Sequence, residues 1–165
     1  IGSCANVNLH CLPHSSYCGN DTSTQFFTAS VAEELLLNTE LTEESKDRAI
    51  HLLKEFGLYE YRDAHPSTLS GGQKQRLAIA VSLMLQKKIY VFDEPSSGLD
   101  YQSMCAIRDQ IAELSHNGRT VFIITHDMEL LDSLCNRCFL LEKDKIIELF
   151  PDSRNLSAII EDLLC

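Results

Sequence analysis

Ile89-Tyr90-Val91-Phe92-Asp93-Glu94-Pro95 is a short apolar run that stops abruptly on two acids and a proline. Consecutive apolar residues without alternation fit a strand covered on both faces, as in parallel sheets flanked by helices. Thr120 to Thr125 (TVFIIT) repeats the pattern and delivers His126 at its carboxyl end. Between the two runs, Met104, Ile107, Ile111 and Leu114 recur at helical spacing and Asn117-Gly118 supplies a stop. Strand, helix, strand in this order predicts an α/β fold with a parallel sheet and right-handed crossovers.

Towards the amino terminus the pattern becomes helical. Residues 1–20 are weakly patterned, and Ser15 to Cys18 is the best strand candidate among them. Val31 to Leu37 reads as a helix. A second helix follows, with Thr42 as N-cap and Leu41 as a staple partner; Ala49, Leu52, Leu53 and Phe56 form its apolar face and Gly57 ends it. Tyr59 to Thr68 contains Pro66 and reads as a loop. A third helix opens at Ser70-Gly71-Gly72 and runs to about Gln86; its stretch Leu77 to Leu85 is apolar nearly all round, which predicts burial. Towards the carboxyl terminus, Asp127 to Leu134 reads as helix, and Cys138 to Leu141 with Lys145 to Leu149 as a strand pair turning at Lys143-Asp144. The tail from Ser153 places Leu156, Ile159, Ile160, Leu163 and Leu164 on one helical face. There is no internal repeat and no low-complexity tract.

Composition narrows the function. The chain has 165 residues, room for one ordinary domain. Lysine and arginine number 14 against 24 acids, and the net charge of −10 argues against gripping a nucleic-acid backbone, so no nucleic-acid partner is expected. No apolar run reaches the roughly 18 residues of a membrane span, which predicts a soluble chain that can still dock on a membrane protein. The first residue is Ile1 rather than methionine, and the expectation is that a segment upstream is missing. Seven cysteines at irregular spacing do not make a secreted disulfide framework. Cys135-Asn136-Arg137-Cys138 is a lone CxxC, and Cys4, His10, Cys11, His14 and Cys18 match no common zinc spacing; both groups read as incidental.

The chemistry gathers in three places. Leu69-Ser70-Gly71-Gly72-Gln73-Lys74-Gln75-Arg76 opens a helix on a serine and two glycines. The backbone N–H groups there face outward at the positive end of the helix dipole, and two missing side chains let an anion approach closely. Taken alone, this is also an ordinary capped helix start. Asp93 and Glu94 lie at the carboxyl end of a strand, where open α/β sheets bind ligands. An aspartate there can hold Mg²⁺ through its water shell, and the next carboxylate can polarise an attacking water. His126, at a second strand end, can contact a terminal phosphate. Each feature has a bland explanation by itself, but their convergence at one end of a sheet does not.

At these residues the sequence resembles a known family. LSGGQ at 69–73, IYVFDE at 89–94, SSGLD at 96–100 and the histidine of FIITHD at 122–127 resemble the signature motif, Walker B, D-loop and switch histidine of the ABC ATPase domain, in that family's order. Gln25-Phe26-Phe27-Thr28, followed by Val31 and Glu33-Glu34-Leu35, further resembles the importers that work through energy-coupling subunits. The resemblance implies Glu94 as catalytic carboxylate, Asp93 on the magnesium side and His126 as γ-phosphate sensor. It implies that Ser70, Gly71, Gly72 and Gln73 cover a nucleotide held by a partner subunit, and that Asp100 links the two sites. Counting back from Gln25 puts Asn20 in the slot of the family's Q-loop glutamine; Asn20 is one methylene shorter, Gln25 lies further along, and the assignment stays open.

The family holds ATP chiefly in a P-loop, G-x-x-x-x-G-K-[ST], whose amides cradle the phosphates. None of the seven glycines, at 2, 19, 57, 71, 72, 98 and 118, begins that motif, and the adenine-stacking aromatic upstream of it is absent too. The resemblance therefore implies a partial P-loop NTPase fold: residues 1–20 a remnant of the core, 21–87 a helical subdomain, and 88–165 the rest of the core. It implies an ATP- and Mg²⁺-dependent transport ATPase on the cytoplasmic face of a membrane, working as a dimer with a second ABC ATPase domain beneath transmembrane subunits. Two other readings stand beside it, a soluble ABC ATPase outside transport and a non-catalytic interaction module.

Overall fold

The computed structural model describes residues 14–19, 26–142 and 145–149 of the chain. Asn20, Gln25, Cys4, His10, Cys11, the Lys143-Asp144 turn and the tail from Ser153 lie outside these residues. The chain divides into two compact units, Ile1–Ile124 and Thr125–Cys165.

The first unit is built on three parallel strands in the order β1-β2-β3, namely β1 (Ser15–Cys18), β2 (Ile89–Asp93) and β3 (Thr120–Ile124). The parallel α/β expectation is met. Between β1 and β2 run α1 (Val31–Leu36), α2 (Glu43–Glu55) and α3 (Gly71–Met84); α4 (Tyr101–His116) joins β2 to β3. Ala49, Leu52, Leu53 and Phe56 are buried along α2, and Gly57 takes φ +61° just beyond it. On α3, Leu77, Ala78, Ile79, Ala80, Ser82, Leu83 and Met84 are all buried, which is why its apolar residues go all round. The Ser82 hydroxyl meets that of Ser16 on β1 at 2.7 Å, satisfying both groups inside the core. Tyr90 and Phe92 stack at 6.0 Å on the same sheet face as Ser16, with 1% and 0% of their surface exposed.

Three local expectations change. Thr42 does cap α2, in a capping box with Ser45, but Leu41 is 72% exposed and staples nothing, because the fourth helical position that would receive it is Lys46. The loop at Tyr59 to Thr68 contains two single 3₁₀ turns, Tyr59–Tyr61 and Pro66–Thr68. Among the described residues the strand at Thr120 is covered on one face only: Phe122 and Ile124 are 54% and 55% exposed, and Ile89 is 37%. Helices cover the face carrying Tyr90 and Phe92, so the unbroken apolar run overstates the burial of the other.

In the second unit, α5 (Met128–Leu134) starts on Asp127, whose carboxylate accepts from the amides of Glu129 and Leu130 at 3.0 and 3.2 Å. β4 (Cys138–Glu142) and β5 (Lys145–Leu149) pair antiparallel. Cys138 and Leu149 are buried against Met128, Leu131, Cys135, Leu140 and Ile147.

Candidate functional site

Ser70 stands before α3 with extended backbone, its hydroxyl accepting from the Gln73 amide at 3.3 Å while Gln73 Oε1 accepts from the Ser70 amide at 2.9 Å. This reciprocal box orients the side chains of Ser70 and Gln73 and leaves the Ser70 O–H and the Gln73 Nε2 group as donors. Among the described residues the amides of Gly71 and Gly72 have no protein acceptor. The two glycines differ in what they permit. A Cβ at Gly71 would meet nothing within 4 Å, whereas one at Gly72 would lie 3.3 Å from Leu99 Cδ2 and 3.4 Å from the Gly98 carbonyl. Gly72 lets the helix start sit on the 96–100 loop; Gly71 leaves the amides open to an incoming anion.

That loop is itself tied down. Asp100 caps α4, taking the Ser103 amide on Oδ1 and the Ser103 hydroxyl on Oδ2, both at 2.9 Å. Those donors hold the exposed Asp100 carboxyl below its ordinary range, the backbone bond contributing most. Arg76 of α3 donates to the same Ser103 hydroxyl at 2.9 Å. α3 and the 96–100 loop therefore share one polar network, which the sequence reading did not contain.

At the tip of β2, Glu94 has φ +50°, the left-handed region that a residue with a Cβ occupies at a cost of about 1–3 kcal/mol. Its amide donates to the Ile124 carbonyl at 2.8 Å and its carbonyl accepts from Ser97 at 3.1 Å, so hydrogen bonds on both sides hold the strain in place. Asp93, one residue earlier, accepts the Tyr17 hydroxyl on Oδ2 at 2.9 Å. Burial, then the hydrogen bond to Asp93, raise the Tyr17 pKa. Asp93 Oδ1 has no protein donor among the described residues. A half-buried carboxylate with one open oxygen fits Mg²⁺, which takes one or two protein carboxylates and completes its octahedron with waters and phosphates. No group of three or more His, Cys, Asp or Glu side chains among the described residues is placed to hold a metal.

The other sequence-named residues fall as follows. His126 is exposed and is the second residue of the second unit, which begins at Thr125. Cys18 is buried, and burial followed by the nearby Asp93 charge pushes its thiol up to about 12, far from a ready metal-binding thiolate. Cys135 is pushed up to about 11, chiefly by burial, so the CxxC is no redox centre of the activated kind. No helix among the described residues is long and apolar enough to cross a membrane. Sequence reasoning missed Tyr17, Gly19 and Arg76; register and packing, not local pattern, bring them to the site.

Such a layout, an α/β sheet with an acidic strand tip and a glycine-opened helix start, suits an anionic ligand. Residues 8–97 match the family described as ABC transporter. A Treponema denticola protein that carries the provisional name ABC transporter ATP-binding protein is 42% identical over 137 residues, 82% of this chain and 27% of its own length. An ATP-binding subunit of an ABC transporter superposes with a TM-score of 0.82 at 22% identity, over 93% of this chain and 69% of the other, a likeness of fold. CbiO1 from Clostridium perfringens, described as part of the ABC transporter complex cbiONQ, gives 0.69 at 28% identity, over 92% of this chain and 63% of the other. The chain belongs to the ABC transporter family, and its fold is that of the ABC ATPases within the P-loop NTPases. It spans 27 and 28% of the length of the first two curated relatives, about a quarter.

Proposed function

We propose that this chain is part of the ATP-hydrolysing subunit of an ABC transporter and works at the cytoplasmic face of a membrane, in a dimer with a second ABC ATPase domain beneath transmembrane subunits. Residues 21–87 are its helical subdomain and 88–165 the later part of its core. Glu94 is the carboxylate that polarises the attacking water, and His126 meets the terminal phosphate. Ser70, Gly71, Gly72 and Gln73 close over a nucleotide held by the partner domain, and Asp100 links the two sites across the dimer. Asp93 would hold Mg²⁺ through its open oxygen. When bound, that ion neutralises charge on the phosphates. The phosphate cradle comes from outside these residues, since no G-x-x-x-x-G-K-[ST] is present.

The observation that most supports this reading is the strained backbone of Glu94, pinned beside the end of β3 immediately after Asp93. Strain of this kind persists at sites where a side chain must be aimed rather than merely packed. The likeness to CbiO1 supports the transport setting.

The test is ATP turnover by the chain alone and by the assembly isolated with its P-loop-bearing partner. The expected result is weak Mg-ATP binding and no useful turnover alone, with turnover in the assembly that Glu94→Gln abolishes. Robust turnover by the isolated chain, lost in Glu94→Gln, overturns the external cradle. Turnover in the assembly that survives Glu94→Gln overturns the catalytic assignment. Co-purification with ribosomes or DNA in place of membrane subunits overturns the transport setting.

A further inference from the structure

The parallel register pairs Tyr17 with Val91, so Tyr17 and Asp93, two residues on, project from the same face of the sheet. The Tyr17 hydroxyl reaches Asp93 Oδ2 at 2.9 Å across 76 residues of sequence. Gly19 completes the arrangement. A Cβ built there would stand 3.0 Å from Tyr17 Cε1, 3.2 Å from its hydroxyl and 3.4 Å from Cζ. The phenol ring lies directly against the Gly19 backbone, and even an alanine would press on the ring and its hydroxyl. A phenylalanine at position 17 would fill the same space, so what tyrosine adds is the donor. That donor occupies Oδ2, and among the described residues Oδ1 takes no protein donor.

From this geometry we infer that Tyr17 is a positioning residue for the cation-side carboxylate, seated by the missing side chain of Gly19. It presents Asp93 to a divalent cation with one oxygen already committed to the phenol. The inference rests on the reading of Asp93 as the cation-side acid. Freezing a ligand in its bound orientation before the ion arrives removes an ordering cost from binding. Ordering one side chain on binding changes an equilibrium by up to about tenfold.

The test uses Mn²⁺ alone as a paramagnetic probe of the ¹⁵N-labelled chain, followed by broadening of the Asp93 and Glu94 amide resonances. In the unsubstituted chain these amides should broaden, and Asp93→Asn should remove the effect. Tyr17→Phe should move the midpoint to several-fold higher Mn²⁺, up to about tenfold. Gly19→Ala, which keeps the phenol but displaces it, should move it in the same direction. In the Asp93→Asn background Tyr17→Phe should change nothing further. A hydrogen bond that serves the fold alone would lower the thermal midpoint and leave the Mn²⁺ midpoint of folded Tyr17→Phe and Gly19→Ala protein at the original value. That outcome overturns the inference while the reading of Asp93 stands. Failure of the unsubstituted chain to show broadening at these amides, or broadening that Asp93→Asn leaves intact, overturns the reading of Asp93 and the inference with it.

Discussion

Glu34 is 2% exposed, and its Oε2 accepts three hydrogen bonds, from the Phe27 and Thr28 amides at 2.9 Å each and from the Thr28 hydroxyl at 2.7 Å. One carboxylate oxygen thus ties the segment before α1 to the helix and holds Phe27 in place with 81% of its surface exposed. Glu34→Ala removes three charge-assisted bonds worth about 1.5–3 kcal/mol each. Against that, the variant no longer buries a carboxylate, which returns several kcal/mol, and the freed amides can turn to water. The net loss should be about 2–3 kcal/mol, or about 5–10 °C in thermal midpoint for a chain of this size. Glu34→Gln keeps the shape and a carbonyl acceptor while losing the charge, and should cost about 1 kcal/mol. Thermal and urea melts followed by circular dichroism give both numbers, and hydrogen exchange at Phe27 and Thr28 reports the segment directly. A Glu34→Ala loss below about 0.5 kcal/mol, or undiminished protection of those two amides in that variant, would refute the reasoning.

Three further outcomes are expected. Glu94→Gly should raise the unfolding free energy by about 1 kcal/mol, because glycine takes φ +50° without strain, and should abolish ATP turnover in the assembly; a destabilised Glu94→Gly protein would count against stored strain. Gly72→Ala should lose about 1 kcal/mol in urea melts, since its Cβ presses on the Gly98 carbonyl and Leu99, whereas Gly71→Ala should be neutral or slightly stabilising; equal effects would remove the distinction between the two glycines. The alkaline side follows from the thiols. Cys18 is raised from 9.0 to about 12 and Cys135 from 9.0 to about 11, so above pH 9 the folded chain keeps protons that the unfolded chain has lost, and stability falls as pH rises. Urea midpoints should be insensitive to these groups below pH 9 and decline towards 12, less steeply in Cys18→Ala; an unchanged slope in that variant would exclude the thiol as the cause.

Much of the site is legible in the sequence because its parts are local. A serine, two glycines and a glutamine within one turn dictate a capping box, and the structure closes it between Ser70 and Gln73. Thr42 caps α2 for the same reason, and Asn117-Gly118 stops α4 with Gly118 at φ +72°. The acids of Asp93-Glu94 come at the end of β2 because an unbroken apolar run must end where polar side chains can reach water. Such features are decided by groups a few residues apart.

Tertiary structure decided which distant groups meet. Tyr17 stands out by no local rule; only the β1–β2 register turns it towards Asp93, and only the bare backbone of Gly19 gives its ring room. Arg76 joins Ser103 and Asp100 because α3 and the start of α4 pack together, and Glu34 is buried because the segment at Phe27 folds back over it. Periodicity also misjudged the open face of β3, where Phe122 and Ile124 stay exposed. The amino-acid sequence by itself determined most of the elements and their caps, since those follow from short-range sterics and hydrogen bonding. The partners of Asp93, the strain at Glu94 and the burial of Glu34 follow from long-range closure, in which strand register and helix packing bring together groups that no local pattern relates.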